Sequence, residues 1–183
     1  MTETDAVVIL RTTTWVNEFV IGLNLCPFAK AVQTKGQVRY VVSHAASGVA
    51  LLEALERELL LLRAADADEV DTTLLIHPRV LGDFYDYNDF LGEVDDLVER
   101  LELEGELQVA SFHPEYCFSG SSADDPANCT NRSPYPMLHL LREASVTRAV
   151  DTFPDTEAIP ERNVELLRGM PTEELRRRLG RDG

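Results

Sequence analysis

The stretch "TTLLIHP", residues 72–78, is the one on which the fold turns. Two threonines and three bulky aliphatic residues in succession favour an extended chain. No charged residue alternates with them, so a strand here has to be covered on both faces, as in sheets sandwiched between helices. Pro78, which has no backbone N–H to give to a ladder, ends it.

Two other stretches read the same way. "QVRYVVS", residues 37–43, follows Gly36, and "LQVASFHP", residues 107–114, again stops at a proline. Between the strands lie helical patterns. Leu52, Leu55, Leu59 and Leu62 share one helix face, with Glu53, Glu56, Arg57 and Arg63 elsewhere; Tyr87, Phe90, Val94, Leu97 and Leu101 repeat the pattern after a cap at Asp83 or Asp86. Ahead of all three strands, Val8, Trp15, Phe19 and Leu23 predict a helix from Asp5 to about Leu23, ended by "LNLCPFAK". Strands alternating with helices favour parallel pairing through right-handed crossovers. The expectation is a single α/β layered domain over residues 1–183, with a small, mainly parallel sheet of three or more strands flanked by helices. "YCFSG", residues 116–120, is the candidate for an added antiparallel edge strand. Near the C-terminus, Ser133 is read as the cap of a helix with Pro134 in its first position, running from about Tyr135 to Val150. Two short helices opened by Pro160 and Pro171 follow.

Composition narrows the function. Thirty-two acids against seventeen bases give a formal charge of -15, a field that repels phosphate backbones and anionic membrane surfaces. Neither nucleic acid nor a membrane is an expected partner. The acidic start "MTETDAVVIL" has no signal-peptide character, and no segment approaches the ~18 apolar residues of a membrane span, so a soluble, cytoplasmic protein is expected. Cys26, Cys117 and Cys129 form no CxxC pair, and an odd count in a reducing compartment argues against a disulfide framework.

Three of the four histidines end the three strands: His44, His77 and His113. Ligands of open α/β sheets bind at the carboxyl ends of strands, so in a parallel sheet these imidazoles gather on one edge. His44, in "SHAASG", is the weakest member and also reads as a loop residue entering a helix. His77, His113 and His139 are the candidate acid–base residues. A strand-end histidine bonded to a loop carbonyl is the structural alternative. Metal binding needs three or four aimed ligands; without HExxH or paired-cysteine spacing it is not expected, and its minority candidates are His77, His113, Cys26, Cys117 and Asp125.

Between Pro114 and Ser133 some twenty residues contain no convincing element, and residues 114–133 are therefore read as a long ordered polar loop. Asp124, Asp125 and Asn128 in "DDPANCTN" also suit Asx turns. Arg132 precedes the predicted helix start, whose free amides attract anions, and one turn of helix would bring Tyr135, His139 and Arg142 to one side. Asn131, Arg132, Ser133, Tyr135 and Arg142 are thus candidates for holding a small anionic molecule, with surface ion pairing as the alternative for Arg142.

"LNLCPFAK", "FHPEYCF" and "TNRSPYPMLHLLREAS" resemble the bacterial "domain of unknown function 1415" proteins, over nearly the whole chain. The resemblance implies a shared architecture and no particular activity. Cys26, after an apolar helix, reads as buried packing before it reads as a nucleophile. No phosphate loop, GxSxG elbow or dinucleotide fingerprint points to a cofactor. Two functions stay open: an enzyme acting on a small anionic metabolite through histidine acid–base chemistry, and a non-catalytic binding domain using the same loop. Metal-assisted hydrolysis or redox chemistry is the runner-up.

Overall fold

The computed structural model describes residues 3–180. Its centre is a four-stranded sheet: β1 (Val38–Val42), β2 (Thr72–Ile76), β3 (Leu107–Phe112) and β4 (Met137–Arg142), in the spatial order β1-β2-β4-β3. β1 and β2 pair in parallel, and β4 is antiparallel to both β2 and β3. The three strands read from the sequence therefore all point one way, and their carboxyl ends share an edge. The sheet is mixed because a fourth strand lies between two of them.

That strand is a correction. "MLHLLR", residues 137–142, was expected inside a helix from Tyr135 to Val150, but it forms β4, and only from Glu143 does α5 (Glu143–Thr152) begin. Met, Leu and Arg are good helix formers, so local propensity points the wrong way here. Pairing on both sides overrides it: Leu138 faces Leu75 and Ser111, and Leu140 faces Thr73 and Val109. Pro134 and Pro136 also hold the residues before them extended. "YCFSG" forms turns and no edge strand.

Helices cover both faces. On one lie α3 (Gly48–Ala64) and α4 (Phe84–Arg100), capped by Ser47 and Asp83. Leu51, Leu55, Leu59 and Leu62 of α3, with Tyr87, Phe90 and Val94 of α4, pack on Leu75, Leu138 and Leu140. The other face carries α1 (Asp5–Trp15), a π-helical continuation over Val16–Ile21, α2 (Ala29–Thr34), α5, α6 (Ile159–Arg168) and α7 (Thr172–Arg178). There Val8, Trp15 and Phe19 meet Leu74, Ile76 and Met137. The wide turn closes at Gly22, where a Cβ would run into the Glu18 carbonyl. Among the described residues no helix is long and apolar enough to cross a membrane.

Tyr87 joins α4 to the sheet. Its fully buried hydroxyl donates to the Met137 carbonyl at 2.8 Å and accepts from the Phe112 N–H at 3.1 Å. Met137 and Phe112 are register partners, so the hydroxyl bridges the first residue of β4 to the last of β3. Tyr87→Phe strands that N–H and that carbonyl in the interior, at a cost of roughly 1–3 kcal/mol. Urea unfolding is expected to show a lower midpoint with an unchanged slope; a wild-type midpoint would contradict this account of the bridge.

Candidate functional site

Two of the three strand-end histidines come together, and His44 does not join them. His77 and His113 flank the Tyr87 ring, with ring centroids 5.8 Å and 5.0 Å from it. Both imidazoles are fully buried. The turn after β2 passes over them, and a left-handed Leu81 (φ 57°) lets two consecutive carbonyls point inward. His77 Nδ1 donates to the Val80 carbonyl at 3.0 Å. His113 Nδ1 accepts from the Glu115 N–H at 3.0 Å, which leaves its Nε2 to donate to the Leu81 carbonyl at 3.1 Å. His77 Nε2 is buried without a partner, a condition that Trp15 Nε1 and Thr73 Oγ1 share among the described residues. Burial takes the His77 pKa down to about 4; the Val80 hydrogen bond opposes this and the neighbouring His113 adds to it. The pair is thus neutral and closed to solvent. His44 lies apart, exposed, with Nε2 3.0 Å from Asp5.

The loop is equally occupied with itself. Pro126–Asn131 forms a 3₁₀ helix capped by Asp125, whose carboxylate accepts from the Ala127 N–H and pairs with Arg168 of α6. Arg168, with the Ala127 N–H second, holds the Asp125 carboxyl down at about 2. Buried Asn128 accepts from the Phe118 N–H and donates to the Ser122 carbonyl. Arg132 donates to the carbonyls of Tyr116 and Ala123, and Asn131 donates to that of Ser111.

With no helix starting at Ser133, its hydroxyl donates to the Tyr135 carbonyl instead, while the Tyr135 hydroxyl bonds to Glu3. Arg142 sits at the far end of β4 from Arg132. Its guanidinium reaches the carbonyls of Leu62, Ala65 and Val70, at and just beyond the C-terminal turn of α3, where a cation meets the negative end of the helix dipole. The single anion pocket expected from Arg132, the amides after Ser133 and Arg142 is therefore not assembled, because a strand replaces the helix that was to unite them.

His139 is separated from the other two by the sheet. It points to the α1/α5 face, 6.0 Å from the Phe112 ring. The Thr72 hydroxyl gives its one proton to the Leu140 carbonyl at 2.6 Å, so at 2.8 Å from His139 Nε2 it must accept. This fixes the tautomer: Nε2 carries the proton and Nδ1 offers a lone pair with no partner among the described residues. Burial lowers the His139 pKa to about 4.

His139 lines a cavity of about 310 Å³. Trp15, Val16 and Val20 of α1 and its π-helical extension form one wall; Cys26 and Phe28 form another; the sheet supplies Leu74 and Phe112; and Val146 and Ala149 of α5 close the outside. Asp71, Gln108 and Ser145 make its polar end. A cleft of about 720 Å³ also lies between the loop and α7, lined by Cys117, Cys129 and Arg132 among others. All three cysteines are free thiols. Among the described residues no three His, Cys, Asp or Glu side chains cluster as metal ligands. The minority metal candidates are dispersed: His77 and His113 at Tyr87, Cys26 in the cavity, Asp125 on Arg168 and Cys117 in the cleft.

Sequence reasoning missed Trp15, Thr72 and Asp71 as site residues. The lone tryptophan at the end of an apolar helix was the one available hint; the other two acquire meaning only from the pairing of β2 with β4.

Fold and cavity together define a mixed α/β protein with a half-open, largely apolar pocket on one face of its sheet. The chain belongs to the family described as "Protein of unknown function (DUF1415)", whose family model matches residues 7–177. No curated protein and no solved structure matches it.

The buried imidazoles give stability a pH dependence of definite sign. His77 and His139 titrate near 4 in the folded chain and near 6.5 when unfolded, so between these values the unfolded chain binds more protons. Their contribution is complete above about 6.5 and is lost as pH falls to 4, at up to roughly 1.4 kcal/mol per pH unit for each ring. Urea unfolding across this window measures the slope, and His139→Gln is expected to reduce it by about one histidine's share.

Proposed function

We propose that this protein binds a small molecule in the cavity between the sheet, α1 and α5, and that His139 Nδ1 accepts a hydrogen bond from it. The observation that carries the reading is an acceptor of fixed tautomer, without a partner, in a cavity otherwise lined mainly by apolar side chains. Its volume of about 310 Å³ falls at the lower end of the ~300–1,000 Å³ usual for ligand sites. The adjoining π-helix adds support, since such turns concentrate at functional sites. A ring held neutral well below pH 7 suits hydrogen-bond acceptance better than proton abstraction, which favours a pKa near the working pH.

The reading as an enzyme on an anionic metabolite draws less support. His77 and His113 spend their N–H groups on loop carbonyls, and Arg132 and Arg142 donate to backbone carbonyls.

Trp15 is the chain's single tryptophan and lines the cavity, so its emission reports occupancy directly. Titration with a panel of small apolar compounds carrying a hydroxyl or amine is expected to shift that emission. Ala149→Phe, which fills the cavity from α5, should abolish the response while the fold persists by circular dichroism. His139→Leu should weaken binding about tenfold, the worth of one hydrogen bond. A response that survives Ala149→Phe, or no response from any compound, overturns the proposal.

A further inference from the structure

Resting on that reading, we infer that the ligand is an amine: an apolar body, aromatic or aliphatic, carrying a protonated nitrogen that sits between Asp71 and His139. The residues around the cavity include no lysine or arginine, and Asp71 supplies its one formal charge. The Asp71 carboxylate accepts from the Ser145 hydroxyl at 2.5 Å, and among the described residues it makes no ion pair. Arg148 is the nearest cation by its bonds, but it reaches only Ser145 Oγ, at 3.0 Å, and its side chain lies outside the cavity wall.

Asp71 and Thr72 are consecutive, and Thr72 Oγ1 takes the Nε2 proton of His139. Asp71 and His139 both line the pocket, and each offers it a lone pair. Two acceptors ask for a donor with more than one hydrogen, and an ammonium group has three while adding the charge that Asp71 lacks. The rings of Trp15, Phe28 and Phe112 line the remainder and suit the apolar body. A carboxylate or phosphate would meet the like charge of Asp71 with no lining cation to offset it, and the neutral Trp15 Nε1–H, which has no partner, is the weaker attraction. The whole-chain charge of -15 also raises the local concentration of cations and lowers that of anions.

Three compounds of one shape test this: 2-phenylethylamine, 2-phenylethanol and 3-phenylpropanoate, each titrated against Trp15 emission in wild type, Asp71→Asn and Ala149→Phe. The amine should bind wild type at least about tenfold more tightly than the alcohol, the range of a hydrogen bond to a charged group, with the carboxylate weakest. Asp71→Asn should bring the amine to the level of the alcohol. If the alcohol binds wild type, is lost in Ala149→Phe and is equalled or surpassed by the carboxylate, or if the amine has no advantage over it, the amine assignment fails while the cavity stands. If none of the three binds wild type, or all bind Ala149→Phe equally, the cavity reading fails and the assignment with it. The comparison within wild type decides the matter even if Asp71→Asn does not fold.

Discussion

The sheet depends on one strand that runs against its neighbours. β1, β2 and β3 all point the same way, and β4 enters between β2 and β3 in the opposite sense, so its residues pair with a strand on each side. Buried backbone groups cannot be left without partners, and a strand with two ladders has no edge to leave open. Each end of β4 is then fixed by a different helix. At Met137 the Tyr87 hydroxyl ties it to α4 and to β3; at Arg142 the guanidinium ties it to the end of α3. One short strand thereby sets the position of both helices on one face of the sheet, and on the other face it delivers His139 to the cavity.

The same economy governs the polar side chains that look most like chemistry. Arg132 and Arg142 bond to backbone carbonyls at places where the chain ends a helix or crosses a long loop. His77 and His113 hold the turn after β2 by two consecutive carbonyls, and Asn128 closes the turns around Cys117. Irregular backbone brought inside a small protein leaves carbonyls in need of donors, and arginine and neutral histidine provide them. A polar residue in a loop is therefore ambiguous until its partners are known.

Much of the framework was legible in the sequence. β1, β2 and β3 declared themselves through β-branched runs closed by proline or fed from glycine, and α3 and α4 through leucine and aromatic stripes, α4 with an Asp cap. The meeting of His77 with His113 followed from two strands of one direction ending alike. β4 was illegible for a physical reason: both its faces are buried, so Met137, Leu138, Leu140 and Leu141 show no polar alternation, and their intrinsic preference is helical. The cavity was beyond reach too, because α1, the π turn, the sheet and α5 contribute its walls from distant parts of the chain. What the local pattern did mark, a composition change ahead of Ser133, proved to be a 3₁₀ scaffold.

α5 follows β4 without a connecting residue, yet none of its residues is fully buried. It lies over the cavity through Val146 and Ala149, held by the Ser145–Asp71 bond and by Phe153 just beyond its end, whose ring meets Phe28 edge-on at 5.8 Å. The junction at Arg142 and Glu143 thus joins a strand paired on both sides to a helix with no fully buried residue. Shifting α5 uncovers no fully buried side chain, whereas shifting α1 or the sheet would uncover several. α5 is thus a wall of the pocket whose place is set by β4 at one end and by the Phe28–Phe153 contact at the other.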